Sequence, residues 1–319
     1  MNIEEIGKGR ISGYQMIERY RAGERNFTGI NLKYAYLHWP CFIDINLSQA
    51  DMRWTRFEMG WIRLINANLS DANMEQVSLR AAFLLNANLR GANLRNADLT
   101  YSDLTNADLT NADLSGADLS DTTLIGANLT GANITDIKTT KDTIFCQTIM
   151  PNGQVETDSH RLTDVQEFLR LYDEGEREFR DLVLHQVDLS NVSLSGVNFL
   201  WPTRLSHVNF VRARFTNCNF GGIQRIIFSD LRNTHLINCE WRNPQIIYCD
   251  LRGAYLQVRD MYAPDFTGSN FEGIQDFLDI EEDMYFCNTT WRTGEFIPGP
   301  INSSECWRER PQRIRNDRF

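Results

Sequence analysis

The strongest constraint on the fold is a leucine or isoleucine at every fifth position between residues 84 and 134. The stretch from residue 81 reads AAFLL NANLR GANLR NADLT YSDLT NADLT NADLS GADLS DTTLI GANLT GANIT, with a small residue, usually alanine, two places before each of them. On an α-helix a step of five residues turns about 140°, so these side chains would be spread around the whole cylinder. On a straight strand an odd step sends successive side chains to opposite faces. One core can take all of them only if the chain turns inward after every five residues, as short-sided coils stacked about 4.8 Å apart.

The repeating unit, A-(N/D)-L-(T/S/R)-(N/G), resembles that of the pentapeptide repeat proteins. The match is tight between Ala67 and Ile134 and looser elsewhere. The resemblance implies an all-β solenoid, a right-handed four-sided β-helix with four pentapeptides, about twenty residues, in each coil. It also implies that the leucine and the residue two places before it point inward, whereas the other three positions face water. Asn and Asp suit outward positions beside a corner because they form turns readily.

The chain carries the same boundary signals twice. Residues 12–32 and 163–184 each open with Ser or Thr three residues before Gln, a helix N-cap pattern. Each then reaches Tyr-x-x-Gly-Glu-Arg-x-Phe, in which the glycine suits the left-handed residue after a helix. Similar closing segments, TIFCQT at 143–148 and MYFCNT at 284–289, precede breaks in the pattern. We therefore expect two tandem β-helices, each with a short N-terminal capping α-helix that covers edge strands and apolar core at the open end.

These signals divide the chain into five parts. They are an N-terminal segment with its cap helix (1–26), a first β-helix (27–150), a linker with the second cap helix (151–178), a second β-helix (179–291) and a C-terminal tail (292–319). Breaks in the five-residue register at Gly60-Trp61, Trp201-Pro202 and Gly221-Gly222 predict bulges or loops. Phe often replaces Leu in the second β-helix, so we expect its coils to be less regular.

Composition is typical of a soluble globular protein. The 319 residues are 42% hydrophobic and 23% charged, and no run reaches the roughly eighteen apolar residues of a membrane span. The first residues lack the apolar core of a signal peptide. These features predict a cytoplasmic protein without membrane insertion. Cys218, Cys239 and Cys249 lie two residues before core positions, and we interpret them as reduced thiols that fill the core.

The sequence shows no catalytic or metal-binding constellation. Its five histidines are scattered, and none lies at ligand spacing from a cysteine or carboxylate. It has no phosphate-binding glycine loop, nucleophile elbow or CxxC motif, and a filled β-helix offers no substrate cavity. We therefore predict that the chain is not an enzyme and has no cofactor or metal. Because the chain is acidic and lacks a basic face interleaved with aromatic residues, we predict no nucleic-acid partner.

Residues twenty apart in one register should stack, so outward columns can be derived from the sequence. Tyr34 stacks with Trp54, and Trp39 with Met59, where the middle of the first β-helix carries Asn, Gly and Thr. In the second β-helix, two apolar columns run beside a column of arginines. Aromatic and aliphatic clusters edged by Arg are typical of protein interfaces. The predicted interaction surface comprises Tyr34, Trp39, Trp54, Trp61, Ile227, Phe228, Arg232, Ile247, Tyr248 and Arg252. The alternative, that a cap helix, the linker or the sister domain covers these side chains, stays open.

The predicted function is a non-catalytic, rigid scaffold for protein–protein interaction, in the assembly or regulation of a larger complex. The entry and closing motifs most resemble those of cyanobacterial family members. Some members of the family resemble duplex DNA and bind DNA gyrase, so a gyrase-directed DNA mimic is one alternative at a net charge of −10. Such a mimic needs acidic columns, whereas in the aspartate row of the first β-helix only Asp98 and Asp118 share a column. A purely structural protein without an external partner is the other alternative. The identity of the protein partner and a homodimeric state stay open.

Overall fold

The chain divides into two compact units, residues 1–158 and 159–319. The computed structural model describes residues 11–37, 41–57, 62–158, 161, 163–201, 203–242, 244–259, 264–275, 285–297 and 301–302. In unit 1 the described elements are α1 (Gly13–Arg21), β1 (Tyr36–Leu37), β2 (Arg56–Phe57), β3 (Thr148–Ile149) and β4 (Val155–Glu156). In unit 2 they are α2 (Val165–Asp173), β5 (Glu178–Phe179), β6 (Val183–His185), β7 (Ser193–Ser195), β8 (Asn198–Phe199), β9 (Thr203–Ser206), β10 (Arg214–Thr216), β11 (Ile223–Ile227), β12 (His235–Glu240), β13 (Gln245–Ile247), β14 (Tyr255–Arg259), β15 (Tyr285–Phe286), β16 (Thr289–Thr290), β17 (Phe296–Ile297) and β18 (Ile301–Asn302).

Unit 1 is a solenoid in which each coil pairs in parallel with the next. A representative ladder climbs from Asn68 to Asn88 to Asp108 to Asn128, twenty residues at each step. The leucines at steps of five all lie in one core cluster that extends from Met16 to Ala132. Four inward-pointing leucines in every twenty residues make a four-sided coil, so the predicted β-helix is confirmed.

The five-residue unit has a specific turn at each corner. In the unit around Leu84, the backbone N–H of Ala87 donates to the carbonyl oxygen of Leu84 at 3.0 Å. Asn86, the third residue of that turn, has a φ of 55°, the left-handed region that Asn and Gly tolerate best. The residue before each leucine also has a local role. Asp98, for example, accepts the backbone N–H of Thr100 at 3.0 Å. The A-(N/D)-L-(T/S)-(N/G) pattern thus follows from the geometry of a repeated corner.

Unit 2 repeats this architecture with longer strands and extra residues. Two four-stranded parallel sheets have the orders β14-β12-β10-β7 and β13-β11-β9-β6. The partner of Leu184 is Leu205, twenty-one residues on, whereas Phe179 pairs with Phe199, twenty residues on. One extra residue therefore lies near the predicted break at Trp201-Pro202.

Two further irregularities in unit 2 are bulges. One lies between Ile223 and Arg225, close to the predicted break at Gly221-Gly222, and another lies between Ile237 and Cys239. In unit 1, Gly60-Trp61 lies outside the described residues, but the ladder step from Cys41 to Arg63 is twenty-two residues, which shows the expected register shift.

Each solenoid begins under a helix, as predicted. In unit 1, Met16 and Tyr20 of α1 are buried, and the Tyr20 ring meets that of Phe42 edge-on at 5.1 Å. In unit 2, Phe168 of α2 packs against Phe179 with ring centroids 4.7 Å apart. Both helices therefore place apolar side chains on the first coil of their unit.

The helix N-caps agree with the sequence in one case only. Ser12 and Gln15 form a reciprocal capping box before α1. The prediction that Thr163 caps α2 is wrong, because Asp164 is the N-cap and its carboxylate accepts the backbone N–H groups of Gln166 and Glu167. A carboxylate at the start of a helix also interacts favourably with the helix dipole.

In the Tyr-x-x-Gly-Glu-Arg-x-Phe motif, the arginine binds the tyrosine of the last helical turn. The guanidinium of Arg25 lies 3.9 Å from the ring centroid of Tyr20 and donates to the Tyr20 carbonyl oxygen at 2.8 Å. Arg177 makes the same two contacts with Tyr172, at 3.9 and 2.6 Å. The intervening glycine has a positive φ in both units, as expected after a helix. The arginine therefore joins the last helical turn to the first coil.

Both units end in antiparallel pairing. In unit 1, β3 pairs with β4, and in unit 2, β16 pairs with β17. The predicted closing segments contain or adjoin β3 and β16. A hairpin reverses the chain, so these segments end the parallel stack.

Candidate functional site

Tyr34 and Trp54 form a stacked pair at one corner of unit 1. Their ring centroids are 5.0 Å apart and their planes differ by 10°, which confirms the predicted column. The Trp54 indole Nε1–H donates to Oε1 of Gln76 on the following coil at 3.0 Å. Tyr34 is 57% exposed, and Trp54 is half-buried. The Trp54 side of the stack is therefore fixed by a hydrogen bond, whereas the Tyr34 side is exposed to solvent.

Cationic side chains surround this pair. Nζ of Lys33 lies 5.2 Å from the Tyr34 centroid and 4.9 Å from that of Trp54. Arg53 pairs with Asp51 at 2.7 Å, and hydrogen bonds from that guanidinium hold the pKa of the Asp51 carboxyl below its usual value. The cation of Lys33 therefore stabilises the rings through their π faces, while the charge of Arg53 is balanced locally.

An open cavity adjoins the stack. It has a volume of about 310 Å³ and is lined by Tyr34, Ala35, Tyr36, Trp54 and Arg56. Tyr36 is 50% exposed, and Arg56 is exposed. Tyr36 and Arg56 face each other on β1 and β2, which are paired in register. We call Tyr34, Tyr36, Trp54, Lys33 and Arg56 the aromatic platform.

Two exposed tyrosines on the coils of unit 1 were not predicted from the sequence. Tyr36 lies immediately before core Leu37, where most repeats have Asn or Asp, and that departure was the available signal. Tyr101 is 47% exposed, and the guanidinium of Arg80 lies 4.6 Å from its ring centroid. Only Tyr36 belongs to the aromatic platform.

The prediction that Ile227 and Ile247 face solvent is wrong. Their relative exposures are 3% and 0%. They pair in register on β11 and β13, next to the core residues Ile226 and Ile246. The register places both side chains on the outside of the coil, yet water does not reach them. Removal of two aliphatic side chains from water is favourable, so the burial is physically consistent.

Phe228 and Tyr248 stack as predicted, and a histidine extends their column. Their ring centroids are 5.3 Å apart, and the His207 ring lies 5.0 Å from that of Phe228. On the next coil, Gly268 leaves room for Tyr248, because a Cβ atom there would come within 2.7 Å of its ring. All three rings are half-buried, so this column presents less surface than the aromatic platform.

The positive charges of the neighbouring arginine column, Arg232 and Arg252, are neutralised by aspartates. Arg232 pairs with Asp230 and Arg252 pairs with Asp250, each at 2.6 Å. Burial raises the pKa of the Asp230 carboxyl, but hydrogen bonds from Arg232 outweigh that effect and the pKa lies below its usual value. These guanidinium groups are already committed to carboxylates and add little net charge to the surface.

The structure therefore brings the predicted surface residues together in two separate places. Tyr34 and Trp54 meet in unit 1, and Phe228 and Tyr248 meet in unit 2. Trp39 and Trp61 lie outside the described residues. Within the described ranges, no group of His, Cys, Asp and Glu could hold a metal ion. Neither helix that the structure describes has the length and apolar character required to cross a membrane.

Comparison with known proteins identifies the repeat. The model of the family described as pentapeptide repeats matches residues 59–96, 97–136 and 178–222, with eight copies. No curated protein matches the chain.

Several solved structures are similar. One is HetL, a pentapeptide repeat protein involved in heterocyst differentiation regulation from the cyanobacterium Nostoc sp. strain PCC 7120, at 20% identity and a TM-score of 0.28, covering 90% of this chain and 100% of HetL. Rfr23, a pentapeptide repeat protein from the cyanobacterium Cyanothece 51142, has 22% identity and a TM-score of 0.24, covering 41% of this chain and 97% of Rfr23. QnrB1, a plasmid-mediated fluoroquinolone resistance protein, has 16% identity and a TM-score of 0.23, covering 68% of this chain and 77% of QnrB1.

Proposed function

This chain is a pentapeptide repeat protein, and from that premise we propose that it acts without catalysis, as a rigid scaffold that binds another protein through the aromatic platform. The observation that carries the proposal is the stacked Tyr34–Trp54 pair beside an open cavity. A large, exposed aromatic cluster with cations at its edge is a common feature of protein interfaces.

The platform is ordered before a partner arrives. Tyr34 and Trp54 restrain each other by stacking, and Gln76 fixes the indole by a hydrogen bond. Ordering a flexible side chain at an interface costs about 0.5–1.5 kcal/mol. Since these rings are already restrained, most of that cost is avoided on binding.

The charges favour an acidic partner segment. The whole chain has a net charge of −10, yet the platform itself carries two cations, Lys33 and Arg56. A partner that contributes carboxylates to these cations and an apolar or aromatic side chain to Tyr34 would complement both features of the platform.

The DNA-mimic alternative has less support. A mimic of duplex DNA needs uncompensated negative charge along a face. In unit 1, Asp108 pairs with Arg90 at 3.3 Å and Asp113 with Arg95 at 3.2 Å, so part of the acidic row is neutralised. A gyrase supercoiling assay tests this alternative, and inhibition or protection of gyrase at micromolar protein would favour it over the platform.

The purely structural alternative predicts that the aromatic residues are covered. Trp54 and Tyr248 are both half-buried, and Tyr34 is more than half exposed. Partial exposure of these rings leaves surface for a partner in unit 1.

A pull-down from native lysate tests the proposed function. Wild-type protein is compared with a Tyr34→Ala, Trp54→Ala double variant and with Tyr101→Ala, a matched control that removes an exposed tyrosine away from the platform. We expect the double variant to lose a partner that the other two retain, with its affinity reduced about tenfold or more. Equal recovery of every bound protein by all three folded proteins would refute the platform.

A further inference from the structure

Cys218 and Cys239 of unit 2 occupy equivalent positions on consecutive coils. Asn219 pairs with Glu240 one coil on, and the backbone N–H of Glu240 donates to the carbonyl oxygen of Cys218 at 3.0 Å. Neighbouring strands of such a ladder lie about 4.8 Å apart. A disulfide needs a Cα separation of about 4.4–6.8 Å, so this stacking brings the two cysteines within range.

The two thiols are free and buried. Sγ of Cys218 also lies 3.5 Å from the carbonyl oxygen of Thr216, and Sγ of Cys239 lies 3.6 Å from that of Ile237. The interaction with Cys239 lowers the pKa of the Cys218 thiol, whereas the same interaction and burial raise the pKa of Cys239. Since the thiolate is the reactive form, the lower pKa of Cys218 and its position beside an open cavity favour it as the nucleophile of the pair.

Cys218 is buried, at 1% exposure, but it borders an open cavity at the surface. An open cavity of about 260 Å³ is lined by Asn217, Cys218, Asn219, Asn238, Glu240 and Arg259. Its size admits a small polar oxidant, and its walls are mostly amides and charged groups. The exposed guanidinium of Arg259 is the cation of the wall.

Cys249 provides an internal contrast. It is equally buried, but its neighbour in the column is Ser269, whose Oγ accepts the Cys249 backbone N–H at 3.0 Å. Burial raises the pKa of its thiol to about 12. Cys249 is therefore a thiol that fills the core without a resolving partner, as the sequence predicted for all three cysteines.

We propose that Cys218 and Cys239 form a thiol–disulfide site that hydrogen peroxide or a small alkyl hydroperoxide oxidises through the cavity. The Cys218 thiolate attacks the terminal peroxide oxygen, the O–O bond breaks, and water or an alcohol leaves after protonation. The sulfenic acid at Cys218 is then attacked by the Cys239 sulfur, which forms the S–S bond and expels water. The two thiols lose two electrons and two protons, and the peroxide is reduced by the same two electrons. This site is independent of the aromatic platform.

The disulfide should be reversible. In a parallel ladder the two Cβ atoms point the same way and start about 4.8 Å apart, whereas an unstrained disulfide holds them about 3.5–4.5 Å apart. The coils must approach slightly, and a strained disulfide is reduced more easily than a relaxed one. Exogenous dithiol should therefore restore both thiols.

The experiment treats the reduced full-length protein with hydrogen peroxide, blocks remaining thiols by alkylation after unfolding, and maps the peptides by mass spectrometry. We expect a cross-linked pair of peptides containing Cys218 and Cys239, its disappearance after dithiothreitol, and full alkylation of Cys249. Persistence of both thiols under conditions that oxidise a model dithiol would overturn the proposal.

A Cys239→Ser variant tests whether Cys218 is reactive or is a buried thiol like Cys249. Without the resolving thiol, Cys218 should accumulate as a sulfenic acid, which dimedone labels, and the labelling should exceed that of Cys249 about tenfold or more. Equal labelling of Cys218 and Cys249 in this folded variant would also refute the site. Oxidation that joins Cys218 to a different cysteine would do the same.

Discussion

At the scale of the residue, a few side chains with local roles specify each corner. The residue before a core leucine accepts a backbone N–H two places on, as Asp98 does for Thr100, and the residue two places after the leucine has a positive φ. These requirements explain why Asp, Asn and Gly dominate outward positions that have no part in the core. They depend on neighbours within five residues, so the sequence alone could predict them.

His185 makes a residue-scale prediction for pH. Nδ1 of the buried His185 ring forms a hydrogen bond of 2.7 Å with Oγ of Ser206. The centroids of the His185 and His207 rings are 5.2 Å apart. Burial, together with the neighbouring His207, lowers the pKa of His185 to about 4. Folding therefore favours the neutral ring, and the unfolded chain binds a proton at higher pH, near pH 6.5.

We expect the free energy of unfolding to be unaffected by this group above about pH 6.5 and to fall as the pH drops from there to about 4. The full loss is about 3 kcal/mol from His185. Urea denaturation at several pH values measures it, and a His185→Gln variant should show a flatter profile. Identical pH profiles for the two proteins would contradict the assignment.

At the scale of the element, each helix caps the first coil of its solenoid. Met16 of α1 is fully buried against the core, whereas Tyr14 on the other side of the same helix is 72% exposed. The contacts of Arg25 with Tyr20 and of Arg177 with Tyr172 then join each helix to the first coil of its unit. The sequence predicted these helices because capping residues and a glycine mark their ends, although it placed the second N-cap one residue early.

A Met16→Asp substitution should therefore lift α1 from the first coil. A buried, unpaired carboxylate is costly, and loss of the helical cap exposes strand edges that can pair with other molecules. We expect lower thermal stability and concentration-dependent association in light scattering. Tyr14→Asp is the matched control and should remain as stable and as dispersed as the wild type. Equal behaviour of the two variants would show that α1 does not protect the end.

At the scale of the whole molecule, two solenoids have separate cores. The unit 1 cluster extends from Met16 to Ala132, and the unit 2 cluster extends from Phe168 to Ile297. Unit 1 is filled by leucine and alanine in regular coils. Unit 2 is filled by phenylalanine and leucine, with valine, isoleucine, tryptophan and cysteine, in coils with bulges, as the mixed sequence pattern predicted.

Leu104→Ala tests this division. Leu104 is fully buried in a central coil of unit 1, and such a truncation costs about 2–5 kcal/mol. Hydrogen exchange should show faster exchange of amides across the neighbouring coils of unit 1, while protection of the unit 2 core persists. A comparable loss of protection in both units would mean that they unfold as one cooperative body.

The sequence by itself determined the solenoid, its core, its corners and its capping helices. All of these follow from a five-residue period and from hydrogen bonds between near neighbours, and both depend only on residues that are close together in the sequence. Only the tertiary structure decided which outward faces meet water, as Ile227 and Ile247 show by being buried in columns that the repeat places outside. It also decided the ladder step of twenty-one residues that stacks Cys218 with Cys239, where the sequence predicted only a break in the register at Gly221-Gly222. Exposure and cross-coil pairing depend on distant segments and on the summed register, and neither is encoded in the local repeat.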